Sequence, residues 1–394
     1  MYRLHEFYKR MPKTLLKSHK KATISGDFSL FLMESYCKIN IGFKSIPSEV
    51  AFMRKNAIRH SIRRTFALLS IVLILTALCA CKSRSTKELE IGTGGEKGTY
   101  YAYMSDFAKI MQREYTITPR TTAGSAASVR LLQKGFVDGA VVQDDILEQA
   151  YNGLGVFANE KTANNLTFSA VASLYTESLQ IIVRADSDIH SVKDLKGKRV
   201  SIGESESGVI VEAEQVLAIY GLTFKDLEVH NNSFASAAAA LKSDNLDAFF
   251  CVAGAPTKAV SDLAKETDIR ILSLDEEEIN KLKSLYPYYE SVTLPIDTYG
   301  GIDTEVRTIG VRAIFVVSNS CSDDDIYSLT KALLAHSAEL NESIITDGET
   351  SIEDATKNVS VPFHPGAARY YEENGITVPV GTTLLAKPVS GTQD

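Results

Sequence analysis

The sequence predicts an α/β chain of two lobes, each a mainly parallel sheet flanked by helices, with a ligand cleft between them. Three observations lead there. Short β-rich runs alternate with helical ones through residues 88–394, the order that builds parallel sheets through crossover helices. Gly/Ser-containing loops follow strands and precede helices at 93–99, 122–126 and 204–208, and open α/β sheets hold ligands beyond such strand ends. A unit ending in Asp138-Gly139-Ala140-Val141-Val142 is echoed by one ending in Asp247-Ala248-Phe249-Phe250-Cys251, which suggests two lobes on one plan.

Residues 88–92 read as the first strand, 93–98 as a Gly-rich turn, and 99 to about 113 as a helix with Phe107, Ile110 and Met111 on one face. A second strand is expected at 117–122. Gly124-Ser125 then opens a helix carrying Val129, Leu131 and Leu132, and 139–142 is a third strand. Residues 166–183 read as two strands flanking Tyr175-Thr176-Glu177. The second unit starts near Ser187 with a strand at 200–203, a helix through Ala218, an Ala-rich helix at 234–241 and a strand at 248–250. Residues 308–317 carry the chain back to the first lobe, and 325–340 form one helix with Ile326, Leu329, Leu333 and Leu334 on one side. The lobes are therefore expected at 88–184 with 306–394, and at 185–305.

The N-terminus reads as an export signal. Residues 66–78 carry no charge and follow a basic, acid-free stretch at 54–65. A helical span needs about 20 apolar residues, so this run is too short to be one; a charged segment before a short apolar one is the form of a secretory signal peptide. Leu78-Cys79-Ala80-Cys81 resembles a bacterial lipobox. The expectation is a signal peptide at 53–80, a lipid on Cys81 as first mature residue, and a linker at 81–87. Residues 1–52 do not fit a signal peptide and read as an extension from an upstream start, with Met53 the natural one. The mature protein is then extracytoplasmic and held at the membrane by its lipid.

Of 42 basic and 49 acidic residues, 14 and 4 lie in the first 80, so the remainder holds 28 and 45 and carries a net charge of −17. Such a surface repels phosphates and argues against nucleic-acid binding. It leaves open a small anionic ligand, because a local site can oppose the global sign. Beyond Cys81 only Cys251 and Cys321 remain, which permits a disulfide but makes no framework. His190, His230, His336 and His364 are widely spaced, and no metal-ligand spacing is visible. No metal and no cofactor is expected.

At the three loops, helix N-termini offer unpaired N–H groups and partial positive charge to an anion. Ser125, Ser205 and Ser207 add hydroxyls, and Gln143 and Tyr175 stand at inferred strand ends. Each loop alone reads as a turn with a helix cap; three in one α/β chain point to a shared cleft. Enzyme signatures fail. Lys97 stands where a dinucleotide-binding run needs its third Gly, and no Gly-Lys-Ser/Thr follows. Ser207 replaces the last Gly of a nucleophile elbow around Ser205, Glu204 and Glu206 would oppose an oxyanion there, and His364 reads as a turn before a helix. No enzyme is expected.

The ordered set Thr93-Gly94-Gly95 with Gly98-Thr99-Tyr100-Tyr101, Thr121 to Ser125, Gln143-Asp144-Asp145, Ala172 to Tyr175, Asp194 to Val200, Ser205-Glu206-Ser207-Gly208 and His364 to Tyr371 resembles solute receptors of the TAXI type, which serve tripartite ATP-independent (TRAP) transporters. The resemblance covers about residues 88–376. It implies a periplasmic-binding-protein type II-like fold, a monomer, that closes on glutamate, glutamine or a related dicarboxylate and delivers it to an ion-gradient-driven TRAP permease. The implied binding positions are Gly95, Tyr100, Ser125, Gln143, Tyr175, Ser205, Ser207 and Gly208. Glu206 departs from the Gly-Ser-Gly-like run of many relatives and has to face away from an anion. The alternatives are a substrate-binding lipoprotein of an ATP-driven importer and a ligand-sensing lipoprotein that does not transport.

Overall fold

The computed structural model describes residues 86–160, 165–342, 344 and 350–380. The expected extension at 1–52, the signal peptide at 53–80, Cys81 and most of the linker at 81–87 lie outside the described residues.

The first stretch runs β1 (Lys87–Gly92), α1 (Thr99–Met111), β2 (Tyr115–Arg120), α2 (Ser125–Gln133), β3 (Gly139–Gln143), α3 (Asp144–Asn152) and β4 (Phe168–Arg184). Then come β5 (Arg199–Ser201), α4 (Val209–Ile219), β6 (Glu228–His230), α5 (Phe234–Lys242), β7 (Ala248–Ala253), α6 (Lys258–Ala264), β8 (Ile269–Ile271), α7 (Glu276–Leu285) and β9 (Glu290–Leu294). The chain returns through β10 (Val306–Ser318) to α8 (Asp323–Ala335), α9 (Ser337–Leu340) and α10 (Pro365–Glu373).

The strands form one mixed sheet in the order β2-β1-β3-β10-β4-β7-β5-β6, with β8 also on β4 and β9 on β10. The parallel pairing that the alternation predicts is confined to the two wings, β2-β1-β3 and β7-β5-β6. Between them the long strands β4 and β10 run antiparallel to each other, and each is antiparallel to the wing strand beside it. A parallel wing needs a crossover helix for each strand, whereas β4 and β10 are the two passages between the lobes and run in opposite directions.

The core divides along these two passages. Tyr175 and Ala313 belong to the first lobe's apolar cluster, and Leu179 and Val311 to a cluster of the second. In the second lobe the sheet is buried on both faces. Ala248, Phe250 and Val252 face one cluster while Phe249, Cys251 and Ala253 face the other, the period of two of a strand with helices on either side. In the first lobe α1 lays Tyr100, Tyr103, Met104, Phe107 and Met111 on the sheet; these positions recur at helical spacing, and each large side chain fully buried contributes about 1.5–3 kcal/mol.

Three sequence expectations are corrected. Residues 166–183 are not two strands: Tyr175, Thr176 and Glu177 lie inside the single strand β4, paired with Ala313, Arg312 and Val311. Their polarity reads as a break, but β10 and α1 supply partners for Thr176 and Glu177. Arg312 donates through Nε to Ser173 Oγ at 2.8 Å and through Nη1 to Thr176 Oγ1 at 3.0 Å. The expected helix at 325–340 is interrupted at His336 and becomes α8 and α9. Helix α3, with an acidic first turn of Asp144 and Asp145, is an element the sequence reading lacks. Cys251 and Cys321 are free thiols.

Candidate functional site

A cavity of about 440 Å³ lies between the lobes and is lined from both. The first lobe supplies the loop from Thr93 to Gly98, Thr99 and Tyr100 at the start of α1, Gly124 and Ser125 at the start of α2, and Gln143. The second supplies Glu204, Ser207, Gly208 and Val209 before and at the start of α4, and Asn232 to Ala235 around the start of α5. Glu177, on the shared strand β4, also lines it. Four helices thus begin at the cavity. Three of them, α1, α2 and α4, open on a glycine with no side-chain cap, and glycine there lets the backbone come close to what occupies the cleft.

Six of the eight binding positions implied by sequence are brought together: Gly95, Tyr100, Ser125, Gln143, Ser207 and Gly208 all line the cavity. Ser205 does not; it is exposed on the outer side of its loop. Tyr175 does not either, because it is fully buried in the first lobe's core with its ring 5.3 Å from that of Tyr103. Glu206 faces away from the cavity, as an acidic residue on that loop has to, and its carboxylate pairs with Arg130. Arg130 is itself held by Glu160 at 2.7 Å and lies over the Phe157 ring.

The lobes are stitched together on both sides of the cavity. On one side the Glu206 carbonyl accepts from the N–H groups of Ala126 at 3.1 Å and Ala127 at 3.2 Å. The first turn of α2, offered to an anion on sequence grounds, is therefore capped by the opposite lobe. Ser125 Oγ donates to Gln143 Oε1 at 3.2 Å, and Gln143 Nε2 donates to Glu212 of α4. On the other side Thr99 Oγ1 donates to the Gly254 carbonyl at 2.8 Å, and Lys97 meets Asp262 at 3.2 Å. With α2 occupied, the helix start that remains uncapped and open to a carboxylate on the first lobe is that of α1.

The electrostatics around the cleft are acidic. Glu177 is 2 % exposed and its Oε2 accepts from the Tyr100 hydroxyl at 2.6 Å. Burial raises its carboxyl well above the usual range, the Tyr100 hydrogen bond opposes that, and the Asp145 charge adds to it. Glu212, fully buried on α4, is raised by burial and then by Asp145. Burial also raises Glu204. Lys97 is the one cationic side chain among the described lining residues, and no arginine lines the cavity. Among the described residues no cluster fit to hold a metal ion is found, and no helix is long and apolar enough to cross a membrane.

Glu177, Asn232 and Phe234 are lining residues that sequence reading missed. Glu177 had a signal: a lone carboxylate inside the apolar run from Phe168 to Val183 needs either a partner or a ligand. Asn232 and Phe234 had none, since the start of an Ala-rich helix looks like any surface turn.

Two α/β lobes joined by two long strands thus turn the N-termini of helices toward a shared cleft. The chain belongs to the NMT1-like family, whose model matches residues 91–375. Among solved structures it is similar to the periplasmic aliphatic sulphonate-binding protein SsuA from Escherichia coli, with 18% identity, 73% of this chain and 79% of that one covered, and a TM-score of 0.41. It is also similar to ArgBP from T. maritima at 14% identity, covering 69% and 100% with a TM-score of 0.42. A third is the substrate-binding protein of an amino acid ABC transporter, at 15% identity, 66% and 100% coverage and a TM-score of 0.39.

Proposed function

We propose that this chain is an extracytoplasmic solute receptor, not an enzyme, that closes on a small organic acid and delivers it to a membrane permease. The observation that carries the reading is the cavity itself, about 440 Å³, walled by helix starts from both lobes. That size suits a small metabolite, and a cleft between lobes binds by shifting an open–closed equilibrium. Glutamate, glutamine and related dicarboxylates are the first candidates from the loop resemblance. The expected outcome is a ligand-dependent rise in melting temperature of the purified protein, about 3–4 kcal/mol of stabilisation at 100 to 1,000 times Kd. A panel of amino and organic acids that gives no shift at millimolar concentration overturns the reading.

Two permease classes fit this receptor. The amino-acid receptor above serves an ABC transporter, and an ATP-driven importer is one candidate. The ordered loop motifs speak for a TRAP permease instead. Uptake assays in cells separate them: uptake that survives collapse of the ion gradients and fails on ATP depletion is ATP-driven, and the reverse is TRAP. If deleting the gene leaves uptake intact and alters expression, the chain is a sensor. The lipid on Cys81 is part of the same proposal, and mass spectrometry of the mature N-terminus tests it.

A further inference from the structure

We infer that the ligand carries a protonated amino group seated on the Glu177 carboxylate, so that the site takes a zwitterionic amino acid in preference to the 2-oxo acid or plain dicarboxylate of the same skeleton. This rests on the receptor reading above and narrows its ligand class.

Glu177 lies where β4 passes from one lobe to the other: the next residue, Ser178, pairs with both Gly310 and Ala253. Its side chain is almost wholly buried yet lines the cavity. One carboxylate oxygen is taken by the Tyr100 hydroxyl, and the other accepts from none of the described residues. The cations nearby are engaged elsewhere. Lys97 is held at the rim by Asp262, Arg130 by Glu160 and Glu206, and Arg312 donates to Ser173 and Thr176. The one neighbouring charge that bears on Glu177 is another acid, Asp145, which adds to the effect of burial.

A carboxyl in a closed, water-poor cleft calls for a counter-ion when it ionises. An entering ammonium supplies one and donates to the open oxygen. The rest of the lining agrees. Glu96, Glu177 and Glu204 line the cavity with a single lysine, itself paired with Asp262, so no spare cation among the described lining residues meets the second carboxylate of a doubly negative ligand. The open start of α1, one residue from Tyr100, can hold one carboxylate through its N–H groups. A ligand with one carboxylate for α1 and one ammonium for Glu177 matches both ends.

The test is calorimetric titration of the purified full chain with amino acids, each paired with its own 2-oxo acid and its N-acetyl derivative. The expected result is that any amino acid that binds does so roughly 10- to 100-fold more tightly than either analogue, the range for losing a hydrogen-bonded charge. Glu177→Gln should remove that preference by weakening the amino acid and leaving the oxo acid unchanged. A 2-oxo acid or dicarboxylate that binds as tightly as the amino acid overturns the inference while keeping the receptor reading. If no compound of any set binds, the receptor reading for small organic acids falls first. The N-acetyl arm needs no variant: full affinity for an acetylated amino acid overturns the inference even where Glu177→Gln fails to fold.

Discussion

Asp145 shows how much charge the closed cleft conceals. Both its oxygens are buried without a hydrogen-bond partner among the described side chains. Burial pushes its carboxyl up to about 8, the N–H groups of Ile146 and of Asp145 itself oppose the rise, and the charges of Asp144 and Glu148 add to it. Glu212 and Glu177 stand close enough to feel its charge in turn. The sign of the consequence follows from linkage. A carboxyl raised in the folded state stabilises it fully below the ordinary value of 3.8 and loses that contribution as pH rises through about 8. Asp145→Asn cannot ionise, so its melting temperature should gain on the unmodified protein between those limits. The gain is at most about 1.4 kcal/mol per pH unit, with an upper limit on the order of 10 °C by pH 8. Parallel melting curves across that window show that Asp145 is not the titrating group.

At the scale of single elements, the loops before helices explain both what is legible in the sequence and what is not. Alternating strands and helices are legible because apolar residues recur at spacings of two and of three to four, as in β7 and α1. The cleft is legible because Gly95, Gly124 and Gly208 stand at the ends of such units. Strand β4 is not, because Ser173, Thr176 and Glu177 look like a turn until β10 and α1 supply their partners. Ser205 and Ser207 differ in fate although they are two residues apart: Ser207 Oγ donates to the Glu204 carbonyl at 2.7 Å and faces the cleft, while Ser205 points to solvent. Which side of a tight loop a hydroxyl takes depends on the opposite lobe. Gly208 carries that argument to a test. A methyl group there would stand 2.7 Å from Gln143 Cδ and 3.1 Å from Ile146 Cγ1, both in the first lobe. Its φ of −65° is open to alanine, so the strain arises only on closure. Gly208→Ala should weaken ligand binding by roughly 5- to 100-fold, the cost of overpacking an interface, and leave circular dichroism and the unliganded melting temperature unchanged. An unchanged affinity means that the loop does not close on Gln143 when ligand is bound.

At the scale of the whole molecule, the lobes share a single sheet through β4 and β10. Their other ties among the described residues include Val211 of α4 packed in the first lobe's apolar cluster, the buried Gln143–Glu212 hydrogen bond, and hydrogen bonds and ion pairs nearer the rim of the cleft. An exposed ion pair contributes about 0–1 kcal/mol, so on the proposed receptor reading pairs such as Lys97 with Asp262 would adjust an open–closed balance without fixing it. The hydrogen bonds from Ala126 and Ala127 to the Glu206 carbonyl are of another kind, because they join backbone to backbone across the cleft and would break if the lobes parted. They are also the first-turn N–H groups of α2, which have no acceptor within their own helix. In an open receptor they face water and exchange quickly; in a closed one they are protected to the extent that ligand holds the lobes together. Amide hydrogen exchange, read on peptides covering residues 125–128, should therefore slow with added ligand by a factor that tracks saturation. Peptides from the centre of β4, buried in either state, should not change. Arg130→Ala removes the side-chain clasp on Glu206 and should reduce that protection at a given ligand concentration while leaving the exchange of β4 as it was. Equal protection of residues 125–128 with and without ligand would mean that the lobes stay shut on an empty cavity, and that binding requires a different entrance.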